Sequence, residues 1–281
     1  MKTKTLILLI ASAALLFTSC QKDKEPVSAG VETSSDIAYS ELIYNDTYSS
    51  LDIATTGIEY VLGSKVAPVD SCPLVMVGIT GTPWPVTVTI DYGTGCTGSN
   101  DIVRTGKIII TQSAPRTQAG SVRTLTFNNF YFNGTKLEGT YTVTNEGLND
   151  NSHVVFSIQL TDGKVTLPDG KYYTYQFTRE REYLAGFSTR YFWDDECLIT
   201  GSGSGTGLNG LPFTYTITSP LDWKAACRFI VSGVVKTDIE GYEPIYLDYG
   251  NGDCDSYATL TQGDVTKTIK LRLYHPHILG K

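Results

Sequence analysis

The sequence predicts a mainly β protein built of antiparallel hairpin and meander sheets, with an internal duplication and one helix near its N-terminus. Turn pairs such as Asn133-Gly134 and Asp169-Gly170 separate short runs rich in β-branched and aromatic residues, a pattern typical of β-hairpins. One cysteine-containing motif occurs twice in the chain. Only one segment has the apolar period of a helix, and it lies before the first copy of that motif.

The N-terminus has the pattern of a secretory signal peptide. Lys2 and Lys4 precede an apolar run from Leu6 to Phe17, which is too short to span a bilayer and has the length of a signal-peptide core. We expect residues 1–19 to be removed on export. Loss of Lys2 and Lys4 then lowers the formal net charge from −7 to −9.

The end of this leader resembles the lipobox of bacterial lipoproteins. Thr18, Ser19 and Cys20 match the pattern, and Phe17 departs from it because the family prefers leucine there. The resemblance implies that Cys20 becomes the acylated first residue of the mature chain. Residues 21–25 are similar to the acidic segment of surface-exported lipoproteins of the Bacteroidetes, and an ordinary solvated tether is the alternative interpretation.

The acidic charge of the mature chain limits its partners. With a formal charge of −9, the mature chain lacks the basic surface that binds nucleic acid, and its charge does not favour binding to anionic lipid headgroups. We therefore expect contact with the outer membrane through the lipid anchor, on the cell-surface or the periplasmic side. The folded part then has a glycan or an envelope protein as its candidate partner.

We expect the helix at about residues 36–56, after a flexible tether that begins at the lipidated cysteine and covers residues 20–34. Ser34 and Asp36 are helix-start residues, and Gly57 is a stop signal. The apolar positions recur at helical spacing, and they are Tyr44, Tyr48, Leu51, Ala54 and Ile58. We expect the tyrosines to pack on the sheet, with a binding stripe as the alternative.

The repeated motif has the frame Cys-x5-Gly, Asp-Tyr-Gly-x-Gly and Cys, and it begins at Cys72 and again at Cys227. A hairpin with Cys72 opposite Cys96 places Met76 opposite Tyr92 on one apolar face. Directly opposed strand positions lie about 4.5 to 5.5 Å apart, which a disulfide tolerates. We expect a Cys72–Cys96 disulfide, and buried free thiols are the alternative.

The second copy has one extra residue, Asp253, which we expect to form a β-bulge. Its register places Gly233 opposite Leu247, and it brings Cys227 and Cys254 together. We expect a second disulfide between these two cysteines, because exported proteins fold where disulfides persist.

After Cys72 the chain reads as a succession of strands. The Gly-rich run at residues 201–207 is expected to be a flexible connection. We place two β-rich halves at residues 35–165, which include the helix, and 166–281. Cys197 has no partner once Cys20 is lipidated and the other four cysteines are paired, and we expect it to be a buried thiol. A disulfide that links two molecules is the alternative. The other strand-like runs are residues 107–111, 124–132, 140–144, 154–160, 172–181, 213–218 and 266–273.

Four segments carry a wider resemblance: Asp91 to Gly98, Gly106 to Ile108, Thr140 to Asn145 and Leu247 to Asp255. Together they look like a group of uncharacterised Bacteroidetes lipoproteins with duplicated Asp-Tyr-Gly-x-Gly…Cys hairpins. The resemblance covers most of the mature chain. It implies an exported, lipid-anchored β-rich protein, and it supplies no activity and no cofactor.

Candidate catalytic and metal-binding groups are few. His275 and His277 form a His-Pro-His element without Cys, Asp or Glu at ligand spacing. His153 lies in a turn-like run without a nucleophile motif. Asp91 and Asp248 are equivalent in the repeat, and an Asp before Tyr-Gly can bond turn amides. We expect no enzyme activity, no metal site and no cofactor.

The candidate binding residues are aromatic. Tyr173, Tyr175 and Arg179 share one face of a predicted strand, and Trp193 would extend a platform on which sugar rings stack. The alternative is that the tyrosines face the sheet core. We expect an outer-membrane lipoprotein with a non-catalytic body and a binding or envelope-structural role. A glycan-binding or glycan-processing surface protein is the alternative.

Overall fold

A computed structural model describes residues 29–61, 72–79, 83–98, 101–189, 191–227 and 229–271. Within these ranges it contains one α-helix, α1 (Ala29–Val61), and 14 strands in one antiparallel sheet. The predicted fold class, mainly β with one N-terminal helix, is confirmed. The strands are β1 (Leu74–Ile79), β2 (Val86–Asp91), β3 (Cys96–Thr97), β4 (Val103–Gln112), β5 (Val122–Phe132), β6 (Thr135–Leu148), β7 (Val154–Thr166), β8 (Tyr172–Ala185), β9 (Glu196–Thr206), β10 (Pro212–Lys224), β11 (Ile230–Ile239), β12 (Ile245–Asn251), β13 (Tyr257–Gln262) and β14 (Val265–Lys270).

The sheet is a meander in which nearly every strand pairs with the next one along the chain. The short strand β3 is the exception, because it pairs with β4 while β4 also pairs with β2. The predicted turn at Asn133 and Gly134 joins β5 to β6, and these two residues have φ values of 47° and 79°. Two positive φ values are the geometry of a type I′ hairpin turn, which favours Asn-Gly.

Helix α1 lies inside the curve of the sheet, and most of its surface is buried. Its contacts reach strands that are far apart in the strand order. The Tyr92 hydroxyl, directly after β2, donates to Ser50 Oγ at 3.4 Å, whereas Ile245 of β12 packs against Gly30. The sheet therefore curls around the helix, and the inward-facing side chains of its strands form one core with it.

The helix extends beyond the predicted span of residues 36–56 at both ends. Residues 29–34, which the sequence assigned to the tether, form its first turns. Ser34 is buried within the helix, so it does not mark the start. Asp36, the other start signal, is also buried, and its carboxylate accepts a hydrogen bond from the Leu208 amide at 3.0 Å, so a residue type that is typical of helix starts here serves a contact with the sheet. In the described part of the chain, no helix is both long and apolar enough to cross a membrane.

Ion pairs join the helix to the concave face of the sheet. Asp52 and Arg123 are both almost completely buried, and Arg123 Nη1 donates to Asp52 Oδ1 at 2.8 Å. Burial alone would raise the pKa of Asp52, but the neighbouring guanidinium groups hold it below its ordinary value. The pairs are Glu41 with Arg179, Asp46 with Arg104, and Asp52 with both Arg116 and Arg123.

The first cysteine hairpin contains the expected Cys72–Cys96 disulfide, with the two Cα atoms 5.5 Å apart. Its register was predicted wrongly: Met76 lies opposite Thr89 and not opposite Tyr92, a difference of three residues. The reason is that β2 ends before Cys96, which belongs to β3 and pairs with β4. The disulfide thus spans a turn and is not a rung of the β1–β2 ladder.

The second hairpin contains the expected Cys227–Cys254 disulfide, with the Cα atoms 5.3 Å apart. Its register differs from the prediction by two residues, because Val235 and not Gly233 lies opposite Leu247. An even shift keeps the same side chains on the buried face. The ladder is interrupted at Gly233, whose φ is 108°, so the irregularity lies there and not in the ladder at Asp253.

The two copies of the motif share one local hydrogen bond. The Gly93 amide donates to Asp91 Oδ1, and the Gly250 amide donates to Asp248 Oδ1, both at 2.9 Å. The tyrosine between each pair, Tyr92 or Tyr249, is buried. Each aspartate therefore bonds the backbone amide two residues further on, as the sequence suggested, at the turn after β2 in the first copy and within β12 in the second. The proposed boundary between the halves, at residues 165 and 166, falls at the end of β7, which pairs with β8 in one continuous sheet.

The Gly-rich run at residues 201–207 was predicted wrongly as a flexible connection, because most of it is strand β9. Tyr175 of β8 and Tyr215 of β10 stack across this strand, with ring centroids 5.5 Å apart and an interplanar angle of 4°. A Cβ at Gly203 would lie 2.3 Å from the Gln176 carbonyl oxygen and 2.4 Å from the Tyr215 ring. The glycines leave the space that these rings occupy.

We expect Gly203→Ala to lower the free energy of unfolding by about 1 to 3 kcal/mol, since the added methyl group displaces a buried ring and a strand. Urea unfolding followed by circular dichroism measures this loss. The matched control is Gly57→Ala, on an exposed helical position with no atom within 4 Å of the new Cβ. This control should raise stability by up to about 1 kcal/mol. Equal effects of the two changes would contradict the packing role of Gly203.

Candidate functional site

Three of the four predicted ligand-binding residues are in the core. Tyr173, Tyr175 and Arg179 are 1%, 0% and 5% exposed, whereas Trp193 is 57% exposed. The three buried residues belong to the inward face of β8, and the Tyr173 hydroxyl lies 3.0 Å from Ser40 Oγ of the helix. The platform interpretation is therefore wrong for these three residues, and the alternative of tyrosines facing the core is right.

Arg179 connects the helix to the sheet and is not available to a ligand. Its Nη1 donates to Glu41 Oε2 at 2.7 Å, and its Nη2 contacts both Glu41 and Tyr215. The guanidinium carbon lies 4.1 Å from the centre of the Phe177 ring. Burial opposes the charge, but the Glu41 carboxylate outweighs burial and holds the pKa of Arg179 well above its usual value.

Trp193 instead borders a groove along a stripe of α1 that the described strands leave partly exposed. The start of β4 and the end of β5 bound one side of this helix groove, and the β8–β9 loop and the end of β10 bound the other. The volume of the helix groove is about 240 Å³. The helix groove is lined by Leu42, Asn45, Asp46, Ser49, Ser50, Ile53, Ile102, Arg104, Phe132, Phe192, Trp193, Trp223 and Ala225.

One wall of the helix groove is aromatic. Phe192 and Trp193 belong to a short 3₁₀ turn between β8 and β9, and their ring centroids are 5.7 Å apart. Phe192 also lies 5.8 Å from Trp223, which is buried at the end of β10. The backbone bond from the Ala225 amide to the Asp195 carbonyl, 3.0 Å long, ties the end of this turn to the β10 side. Trp193 therefore projects from a supported turn.

The opposite wall and the floor place a few polar groups among apolar side chains such as Leu42, Ile102 and Phe132. Arg104 Nε donates to Asp46 Oδ2 at 3.0 Å, and Arg104 Nη2 contacts the other carboxylate oxygen. The Arg104 guanidinium also lies over Phe132, 5.5 Å from the ring centre. Ser49 and Ser50 donate to helix carbonyls one turn earlier, which leaves their oxygens able to accept further bonds. The floor thus combines a carboxylate, a guanidinium and hydroxyl groups.

Arg181 lies behind the floor, and only 1% of its surface is exposed. Its Nη2 donates to Asn45 Oδ1, and its guanidinium carbon is 4.1 Å from the Tyr48 ring and 4.9 Å from the Trp223 ring. Its Nε and Nη1 atoms have no hydrogen-bond partner among the described residues. The cation is thus held by an amide and two aromatic faces.

Cys197 is a fully buried free thiol, as expected, and burial raises its pKa.

Asp195 follows the aromatic turn but does not line the helix groove. Its carboxyl group packs against Gly186, where an added Cβ would lie 2.2 Å from Oδ1. Burial, and after it the charge of Asp52, raises the pKa of Asp195 to about 7, while Arg116 opposes the shift. This carboxyl group changes its charge in the neutral pH range at the base of the loop that carries Trp193.

A second cavity, of about 340 Å³, opens on the outer face of the sheet. Glu146, Glu180 and Glu182 are among its lining residues. Hydrogen bonds to Glu182 from His153 at 2.7 Å and from Asn149 at 2.8 Å lower the pKa of Glu182. A general acid for glycoside hydrolysis needs a raised pKa, so Glu182 does not have the property of that acid.

Some predicted features lie outside the described residues, namely the leader at residues 1–19, the lipidated Cys20, and His275 with His277. Within the described ranges, no group of three or more His, Cys, Asp or Glu side chains is placed to hold a metal ion. The chain matches no protein-family model, no curated protein and no solved structure.

Sequence reasoning missed most of the helix groove. Leu42, Asp46, Ser49 and Ile53 recur at steps of four, three and four, so they form a stripe beside the tyrosines that were used to predict the helix. The polar residues in this stripe, Asp46 and Ser49, could have indicated a helix face that is not fully covered by the sheet. The opposite walls come from distant parts of the chain, and only the fold brings them to the stripe.

We expect Arg179→Met to lower the free energy of unfolding by about 3 to 5 kcal/mol, because it leaves the Glu41 carboxylate buried without its cation. Urea unfolding measures the loss. Lys136→Met, which breaks the more exposed pair with Glu138, is the control and should leave stability nearly unchanged. Adding Glu41→Gln to Arg179→Met should recover part of the loss. A loss as small as that of Lys136→Met would show that Arg179 does not hold the helix.

Stability should depend on pH through Asp195. Its pKa of about 7 in the folded chain exceeds the ordinary value of 3.8, so the folded state binds the proton more tightly. This contribution to stability is fully present below about pH 4 and is lost as the pH rises to about 7. Asp195→Asn should remove that downward slope in urea unfolding, whereas the exposed neighbour Asp194→Asn should retain it. An unchanged slope in Asp195→Asn would contradict the assignment.

Proposed function

We propose that the mature chain is an outer-membrane lipoprotein, anchored by acylated Cys20 on the cell-surface or periplasmic side, whose β-rich body binds a partner without catalysing a reaction. The leader and lipobox support export and anchoring. The two disulfides, Cys72–Cys96 and Cys227–Cys254, support an oxidising compartment, because such bonds are rare where thiols are kept reduced.

The observation that carries the binding role is the helix groove. It joins an exposed tryptophan on a supported turn to polar groups of the helix, and the Asp46–Arg104 pair fixes those groups in place. Binding sites commonly combine an apolar wall with a few oriented polar groups. Burial raises the pKa of two described carboxyl groups, Asp195 and Asp222, and neither lines this groove, which supports binding in preference to acid catalysis there.

A second candidate function is glycan binding, which Trp193 favours. An exposed ring beside hydroxyl, amide and carboxylate groups suits sugars, which have apolar ring faces and hydroxyl edges. Glycan processing is less well supported, because hydrogen bonds lower the pKa of Glu182 in the acidic outer cavity. An envelope protein as the partner is the remaining interpretation of a binding role.

We expect Cys20→Ser to release the protein from the outer-membrane fraction and to move it into the aqueous phase of a Triton X-114 partition, since the acylated side chain is lost. The neighbouring change Gln21→Ala leaves the cysteine intact and should keep the protein in the detergent phase. Cys20→Ser that stays in the membrane fraction would contradict the anchor. Protease added to intact cells then separates the two locations, because only surface-exposed protein is cleaved.

A further inference from the structure

We infer that the helix groove binds one neutral pyranose ring of a glycan, with Trp193 against the apolar face of the sugar and Asn45, Asp46 and Arg104 against its hydroxyl groups. This inference rests on the binding role proposed above, and it adds the class of ligand, the charge of that ligand and the residues that recognise it.

The size of the helix groove favours a single ring. Its volume of about 240 Å³ lies below the range of roughly 300 to 1,000 Å³ that is typical of pockets for drug-sized ligands. Both walls are made of large side chains, among them Phe132 and Trp223, which are almost completely buried. At the rim, Trp193 is 57% exposed and Ile53 is 54% exposed, so the rest of a glycan can continue into solvent.

The aromatic wall supplies the flat surface that a sugar ring needs. An aromatic ring has a negative face, which attracts the weakly positive C–H groups on the apolar face of a pyranose. Trp193 is held by Phe192, and Phe192 in turn contacts Trp223. This ring contact with Phe192 restricts the Trp193 side chain and so reduces the entropy that would be lost when a sugar ring stacks on it.

The charges of the site favour a neutral ligand. Asp46 and Arg104 neutralise one another inside the helix groove. Arg181, behind the floor, opposes a second cation. Asp194, exposed beside Trp193, opposes an anion at the rim. A sugar with neither a carboxylate nor an ammonium group avoids both sources of repulsion.

The polar floor matches pairs of neighbouring hydroxyl groups. Each Asp46 oxygen accepts one bond from Arg104 and retains a lone pair for a sugar hydroxyl. Arg181 can only donate, so its bond to Asn45 Oδ1 fixes the orientation of that amide and leaves the Asn45 amide nitrogen as a donor. An acyl chain or an apolar peptide would leave these donors and acceptors without partners, which is unfavourable.

The test uses the mature, lipidated full-length protein in detergent. We would titrate it with the methyl β-pyranosides of glucose, galactose, mannose and N-acetylglucosamine, and with the corresponding methyl uronide and methyl amino sugar of each series as charged analogues. Isothermal calorimetry and saturation-transfer NMR measure binding. At least one neutral sugar should bind, and its negatively and positively charged analogues should each bind at least tenfold more weakly.

Trp193→Ala should weaken binding of that sugar at least tenfold. Tyr246→Ala, which removes an exposed aromatic ring on the outward-facing side of β12, is the matched control and should bind like the wild type. Ser49→Phe, which fills the helix groove from the floor, is a second and independent blocking variant. Thermal unfolding of each variant checks that the fold is intact.

Two results would overturn the inference. The first is that no neutral pyranoside binds, or that a charged analogue binds as well as the neutral one. The second is that binding survives both Trp193→Ala and Ser49→Phe, since the sugar would then occupy another site. Either result leaves the lipid anchor untouched, because that part of the proposed function is tested separately by Cys20→Ser.

Discussion

The pairing of helix carboxylates with arginines on the sheet is the interaction on which the rest of this structure depends. Glu41, Asp46 and Asp52 follow one another at steps of five and six residues. Five residues turn an α-helix by about 500°, which is about 140° more than one full turn. Asp46 therefore points about 140° away from Glu41, whereas Glu41 and Asp52, eleven residues apart, point in nearly the same direction, because eleven residues make about three full turns. The carboxylates thus leave the helix in two directions, and a sheet that pairs with both has to curve around the helix.

The same pairs position the helix groove. Asp46 and Arg104 connect the partly exposed stripe of the helix to the start of β4, so the groove is held open by the contact that fixes the helix in the sheet. On the other side, Arg181 joins Asn45 of the floor to Trp223 of the aromatic wall. Both walls are thus attached to the helix through guanidinium groups. A change in the way the helix sits would alter the site as well as the stability of the chain.

Much of the fold could be predicted from the sequence, because strand alternation and turn chemistry are local. The turn pairs, the single helix and both disulfides were correct, while both hairpin registers were not. The register of the first copy depended on whether the chain between Asp91 and Cys96 continues the strand, and the turn at Gly93 decides this. The role of Gly203 was hidden for a different reason. A glycine-rich string looks flexible until the ring of Tyr215, on the next strand, is known to lie across it.

The candidate site was harder to predict, because strand position and aromatic character do not distinguish a ring that faces a ligand from one that faces a helix. Tyr175 and Trp193 were equally good candidates by composition, and they are 0% and 57% exposed. What separates them is the helix itself, which fills the concave side of the sheet and takes up the inward-facing tyrosines of β8. A ring can face solvent beside the helix only where a loop brings it to the partly exposed stripe. The turn between β8 and β9 does this for Trp193, so the surface available for binding is set by the side of the helix that the sheet does not fully cover.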